Sequence, residues 1–472
     1  MQELLQQVRI LDPASQTDRV GDVSIEDGVI AQIADAIADI PSDATVIEGY
    51  GLVLAPGLVD VYSHSGEPGF EERETLYSLR LAAAAGGFTR VAVLPTTHPP
   101  IDNPASVHWF FDRQKAGFGA SAQPSGGRLR PEAQPEGRQE AEGRSDKGGK
   151  GDKGDRGAVS FSSSLSSSSP LSPLPSLFPW AALTTNTQGQ QMTELAELAL
   201  TGAVGFTDGQ PIPNLLLVRR MLEYLHPLGK PVMLWACDRE LVGNGVMREG
   251  PDSMVFGLPG IPAIAETTAL AALLECVEET GTPVHFMRLS TARGVELIRS
   301  AKARGLPVTA STTWMHLLLN TQALSSYDPS LRLLAPLGSP ADQQALVAAV
   351  QQGVIDAIAV DHAPFTYEDK TVALAESPPG AIGLELALPL LWQALVETNQ
   401  WSALDLWSAL SSRPACCLQQ SPAVIKAGES AEMLLFDPQQ MWIADARSLR
   451  SLSANTPWFG QSIQGRVAKI WC

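Results

Sequence analysis

The chain has 472 residues, of which 44% are hydrophobic and 18% charged. It is long enough for a large domain with a small companion and apolar enough to bury a sizeable core, which argues against global disorder. A formal net charge of −18 at pH 7 argues against nucleic acid or an anionic membrane surface as a partner.

Residues 3–55 read as short strands. VRILDP, GDVSIEDGVIAQI and TVIEGYGLVLAP carry β-branched residues between turn signals such as Glu26-Asp27-Gly28. From there helical stretches alternate with short apolar strands. TRVAVLP follows LYSLRLAAAAGG, KPVMLWA follows NLLLVRRMLEYLHPLG, and TPVHFMRLS follows TALAALLECVEETG. LPVTAST and IDAIAVDHAP each follow a further helical run. Repeated in this way, the pattern predicts a parallel sheet covered by helices. Residues 117–179 break it. They are rich in Gly, Ser, Pro and Gln and offer few apolar side chains to offset the entropy of ordering, so a disordered surface insertion is expected. Its stretch from Gly151 to Gly157 has a collagen-like period but is short and lacks proline. The C-terminal AGESAEMLLFDP and QGRVAKIWC return to the texture of the N-terminus, so one β-sandwich built from both ends is expected.

Five cysteines, Cys237, Cys276, Cys416, Cys417 and Cys472, fit neither a paired zinc site nor a disulfide framework, and reduced thiols of a cytoplasmic protein are the simplest reading. No basic region followed by an apolar run opens the chain, and no run of about eighteen apolar residues marks a membrane span. There is no Gly-x-Ser-x-Gly elbow, phosphate loop or dinucleotide fingerprint to support another enzyme class.

The segment Asp60-Val61-Tyr62-Ser63-His64-Ser65-Gly66-Glu67-Pro68-Gly69 resembles the first barrel strand of dihydroorotases, where Asp-x-His-x-His-x-Arg-Glu-Pro-Gly is usual. The resemblance continues through Ala84-Ala85-Gly86-Gly87-Phe88-Thr89, Leu94-Pro95-Thr96-Thr97, Phe206-Thr207-Asp208, and Gly257 to Glu266. It reappears at Asp361-His362-Ala363-Pro364, at Gly380 to Glu385 and at Ala454 to Gly460, covering nearly the whole chain outside the insertion. It implies a metal-dependent (β/α)8 amidohydrolase barrel with a small β-sandwich. The implied division is 1–55 and 421–472 for the sandwich, 56–116 and 180–420 for the barrel, and 117–179 for the insertion.

In the family a metal-bound hydroxide attacks a ring amide carbonyl, interconverting dihydroorotate and N-carbamoyl-aspartate, which requires several imidazoles and carboxylates to converge. The resemblance puts retained metal ligands at His64, Asp208 and Asp361, the last also the proton shuttle and catalytic residue if the chain is active. Other ligand positions are lost. The first histidine of the opening motif is Tyr62, whose phenol stays protonated near neutral pH. Another falls on Trp235, whose indole offers no lone pair, and another on Arg288, a cation. In the substrate shell, the usual arginine falls on Gly66, two asparagines on Thr96 and Leu334, and a histidine on Phe365. His64, Asp208 and Asp361 are therefore either a weak one-zinc site or hydrogen-bonded polar groups in a remodelled pocket, with Arg288 able to pair with Asp208 or Asp361 in the metal's stead. His98 is a candidate compensating ligand. His108, His226, His285 and His316 read as packing or surface residues, and His362 as support for a strand end.

The function expected on these grounds is that of a catalytically degenerate dihydroorotase homologue with a structural or regulatory binding role in pyrimidine biosynthesis. The resemblance implies aspartate transcarbamoylase as a partner and a homo- or hetero-oligomer. The alternative is an active metal-dependent hydrolase of a cyclic amide, dihydroorotate included.

Overall fold

The computed structural model describes residues 2–38, 44–116 and 174–472. The N-terminal strands form because apolar residues recur on one face. In β1 (Gln2–Asp12) Leu4, Leu5, Val8 and Ile10 are buried, the alternation slipping at a bulge between Leu5 and Val8. β2 (Thr17–Glu26) pairs antiparallel with β1, and β3 (Val29–Ala34) returns along β2. Asp27 and Gly28 join β2 to β3 with φ of 48° and 80°, the left-handed pair a tight hairpin demands and the Asp-Gly dipeptide supplies. β4 (Thr45–Glu48) and β5 (Val53–Pro56) then lie parallel to β1.

The barrel begins at once. β6 (Leu58–Ser63), β7 (Phe88–Val93) and β8 (Ser176–Pro179) run parallel, and Phe206 bridges from Ala181 to Val232 where the next strand is due. β9 (Val232–Trp235) follows, then a short outlying pair, β10 (Met247–Arg248) and β11 (Gly260–Ile261). β12 (Val284–Met287), β13 (Val308–Thr313) and β14 (Ala357–Ala359) complete the parallel run. Closure onto β6 is made by Asp361 N donating to Tyr62 O at 3.2 Å and by His64 N donating to His362 O at 2.7 Å. Helices cover the strands, among them Leu76–Gly86, Leu215–Leu225, Ile264–Thr280, Ala292–Ala303 and Pro340–Gln351. Thr75 and Ser339 start two of these helices with reciprocal capping boxes. The barrel interior is filled by Val59, Val61, Ala92, Met233, Met287, Ala357 and Ala359, with Trp180 donating its indole N–H to Val61 O at 3.0 Å.

β15 (Met433–Ile443) and β16 (Ser462–Trp471) bring the C-terminus back to the first strands. The sheet order is β16-β15-β5-β1-β2-β3, with β4 also on β1, folded around Leu5, Val8, Ile10, Val23, Met433 and Leu435. The α/β barrel with a small β-sandwich from both termini is thus present as expected. Arg90 on β7 locks the two parts together through a forked pair to Glu432, Nε–Oε1 2.7 Å and Nη2–Oε2 2.6 Å.

One boundary shifts. Ser176–Pro179 was expected inside the insertion but pairs with β7 as a barrel strand. Its four residues beside a proline-rich run carry too short a signal to stand out. The rest of the expected insertion, 117–173, lies outside the described residues. No helix among the described residues is long and apolar enough to cross a membrane.

Candidate functional site

Side chains just beyond the C-terminal ends of barrel strands converge at one mouth. His64 follows β6, Asp208 follows the Phe206 bridge, Arg288 follows β12 and Asp361 follows β14. Asp60, buried one turn of pleat below, accepts from Val360 N at 2.8 Å and from Ser63 Oγ at 2.5 Å, fixing β6 against β14. Burial pushes its carboxyl up to about 7.

Arg288 and Asp361 have φ of 59° and 53°. Left-handed backbone at two non-glycine residues costs on the order of 1–3 kcal/mol each, and the contacts around them hold it in place. Their side chains meet in a forked pair, Nε–Oδ2 2.8 Å and Nη2–Oδ1 2.7 Å. The Arg288 side chain is 0% exposed. Its Nη1 donates to Gly209 O at 3.0 Å, and its backbone N donates to the Tyr62 hydroxyl at 3.1 Å. The guanidinium carbon lies 4.9 Å from the Trp235 ring centre and 5.3 Å from that of Tyr62. The three positions at which the resemblance implies lost histidine ligands therefore pack against one another, two aromatic rings around one cation.

Burial by itself would raise the Asp361 carboxyl, but the Arg288 charge and hydrogen bonds hold it below the usual carboxylate range. Burial likewise opposes the Arg288 charge, and Asp361 overrides it. His64 is pushed down to about 4 by burial, against the pull of Asp361 3.7 Å away, so it is neutral at pH 7. Its Nε2 faces the donor Nη2 of Arg288 at 3.3 Å and must accept, which assigns the proton to Nδ1, 3.1 Å from Thr96 Oγ1. Asp208 turns to Thr184, accepting from its backbone N at 2.9 Å and its Oγ1 at 2.5 Å. Burial raises Asp208 to about 6 despite those bonds.

The donors present do not fit a zinc ion. Both Asp361 oxygens are taken by Arg288 and both Asp208 oxygens by Thr184, while the free lone pair of His64 faces a guanidinium. No group of three His, Cys, Asp or Glu side chains able to hold a metal forms among the described residues. Of the three expected ligands, His64 and Asp361 come together and Asp208 does not join them. Of the two partners open to Arg288, it takes Asp361. His98 is exposed, its ring centre 6.3 Å from that of Phe70.

The positions that the resemblance assigns to a substrate shell hold other groups. A side chain at Gly66 would collide with the carbonyl oxygens of Phe70 and Glu74, so the backbone has closed over the place of the implied arginine. Phe365 lies between two cations, Arg73 at 4.9 Å and Lys370 at 5.1 Å. Leu334 and Trp235 line a cleft together with Arg248 and Glu266. Thr184 and Arg248 carry no motif signal and emerge only from the tertiary arrangement. The remaining histidines are structural as expected. His285 bonds Thr309 and Ser311, His316 bonds Thr313, and His362 lies 3.3 Å from Glu74 while accepting from Gly383 N.

Residues 51–126 match a family model described as dihydro-orotase-like. A probable dihydroorotase-like protein of Synechocystis is 44% identical over 471 residues, covering 98% of this chain and 97% of that protein. A dihydroorotase of Syntrophus aciditrophicus is 32% identical, covering 99% and 97%, and a dihydroorotase-like protein of Pseudomonas aeruginosa is 34% identical, covering 97% and 95%. Among solved structures, the L-hydantoinase of Arthrobacter aurescens superposes with a TM-score of 0.75 at 19% identity over 98% of this chain and 93% of that one, a likeness of fold. With near-complete coverage at these identities, the chain belongs to the dihydroorotase-like family.

Proposed function

We propose that the chain is a catalytically silent dihydroorotase homologue that acts by binding in cytoplasmic pyrimidine biosynthesis, with aspartate transcarbamoylase as its partner. The observation that carries this reading is the caged Arg288. Its guanidinium occupies the place of metal charge beside Asp361 and His64. It cannot give up its proton to become a ligand or a base. Expelling it for a metal means breaking two charge-assisted hydrogen bonds worth roughly 1.5–3 kcal/mol each. Tyr62 offers no escape, since burial raises its phenol further above neutral pH. Zinc is therefore bound weakly or not at all. The five free cysteines agree with a reducing compartment.

The test has two arms. With added zinc, neither dihydroorotate hydrolysis nor N-carbamoyl-aspartate cyclisation should exceed the uncatalysed rate. In sedimentation with the aspartate transcarbamoylase of the same organism, the two chains should move as one complex. Zinc-dependent turnover abolished by Asp361→Ala would overturn the first arm, and independent sedimentation would overturn the second.

A second reading, an active one-zinc hydrolase of a less charged cyclic amide, draws on His64 and Asp361 lying 3.7 Å apart and on the bulkier Trp235, Leu334 and Phe365. It requires Arg288 to leave its cage.

A further inference from the structure

Beside the caged centre lies a cleft walled by Trp235, Cys237, Ile261, Leu334 and Ala335, with Arg248 and Glu266 among its lining. Its enclosed part has room for about one or two water-sized groups, and the remainder opens to solvent. Arg248 is only 4% exposed, yet its charge is incompletely met. Its Nε has no hydrogen-bond partner, and its Nη1 reaches the Ile261 and Pro262 carbonyls only at 3.4 Å each. Its one short bond runs from Nη2 to Ser290 Oγ at 2.6 Å.

Glu266 does not supply the missing partner. Its oxygens accept from Ser290 N and Oγ and from Thr291 N and Oγ1, so Arg248 reaches it only through the Ser290 hydroxyl. The Cys237 thiol is pushed up to about 11 by burial and stays neutral, bringing no competing negative charge. The Glu266 carboxylate also lines the cleft, but four hydrogen bonds from Ser290 and Thr291 engage its oxygens, so the Arg248 cation with its unpartnered Nε is complementary to one small planar oxyanion.

We propose that this cleft is a binding site for a small carboxylate, its oxygens on Arg248 and its short apolar tail against Trp235 and Leu334. This goes beyond the binding role proposed above and does not depend on it, because the site uses neither Asp361 nor His64. Because Trp235 also packs on Arg288, an occupied cleft would brace the cage from the adjoining side.

Acetate is the probe, titrated into the zinc-free full chain and read by the broadening of its NMR signal, with acetamide as the neutral isostere. The expected result is saturable millimolar binding of acetate and none of acetamide. Arg248→Met should weaken acetate binding about tenfold or more. Leu334→Trp, which fills the cleft from a half-buried position and leaves Arg248 in place, should abolish it even if the arginine variant folds poorly. Equal binding of acetamide, unchanged acetate binding in Leu334→Trp, or no saturable binding by the wild-type chain would each overturn the assignment.

Discussion

Arg288 carries a full charge into a place with no solvent exposure, and Asp361 is what makes that tolerable. Removing one partner of such a pair leaves the other buried and unpaired, a loss of about 3–5 kcal/mol. Arg288→Met should therefore destabilise strongly in urea unfolding. Adding Asp361→Leu should recover a large part of the loss, since an apolar pair needs no compensation. A double variant as unstable as the single one would show that the cage is held by something other than this pair. His64 gives a pH signature at the same scale. Its folded value of about 4 lies below the ordinary 6.5, so the unfolded chain takes up the proton first. The contribution of neutral His64 is full above pH 6.5 and is lost as pH falls toward 4, up to about 3 kcal/mol. His285 and His316, lowered to about 3 and about 4 by burial, act with the same sign. Thermal unfolding between pH 7.5 and 5 should show a slope that His64→Gln makes shallower. An unaltered slope would mean that His64 is not buried neutral.

Between elements, the forked Arg90–Glu432 pair and the Thr89 hydroxyl on Glu432 join β7 to the residue preceding β15. Glu432→Gln keeps the shape and loses the charge, and should cost about 1–3 kcal/mol with an unchanged denaturant slope. No loss would leave the sandwich held to the barrel by apolar packing alone. Elements were the most legible level of the sequence. The Asp27-Gly28 turn and the strand ahead of Asp361 could be placed from local pattern, because hairpin chemistry and strand periodicity are local, whereas the strand ahead of His64 came from the family resemblance. The replacements that the resemblance implies at Tyr62, Trp235 and Arg288 were legible too, since each stands in a recognisable motif. That they compensate one another was legible only as a possible Arg288 pair. Tyr62 and Arg288 are 226 positions apart, and their contact exists only once the barrel closes. Thr184 as the partner of Asp208 and Arg248 as a half-satisfied buried cation had no signal at all, being ordinary residue types outside any motif.

At the scale of the whole molecule, a barrel and a sandwich around the Arg288–Asp361 pair support the proposal of a family fold kept for something other than metal chemistry. The closing segment still docks, with the Asn455 side chain donating to Ala363 O at 2.9 Å and to Gly380 O at 3.2 Å. The backbone at Arg288 and Asp361 is left-handed. On the proposed reading, positive charge at the mouth comes from a side chain built into β12's end and not from an ion taken up from solution. The measurement that tests this most directly is the zinc content of the full chain, expressed with zinc available and purified without chelator. An internal guanidinium in the metal's place predicts far less than one zinc ion per chain and a melting temperature that chelator does not move. About one or two tightly held zinc ions per chain, with melting lowered on their removal, would contradict it.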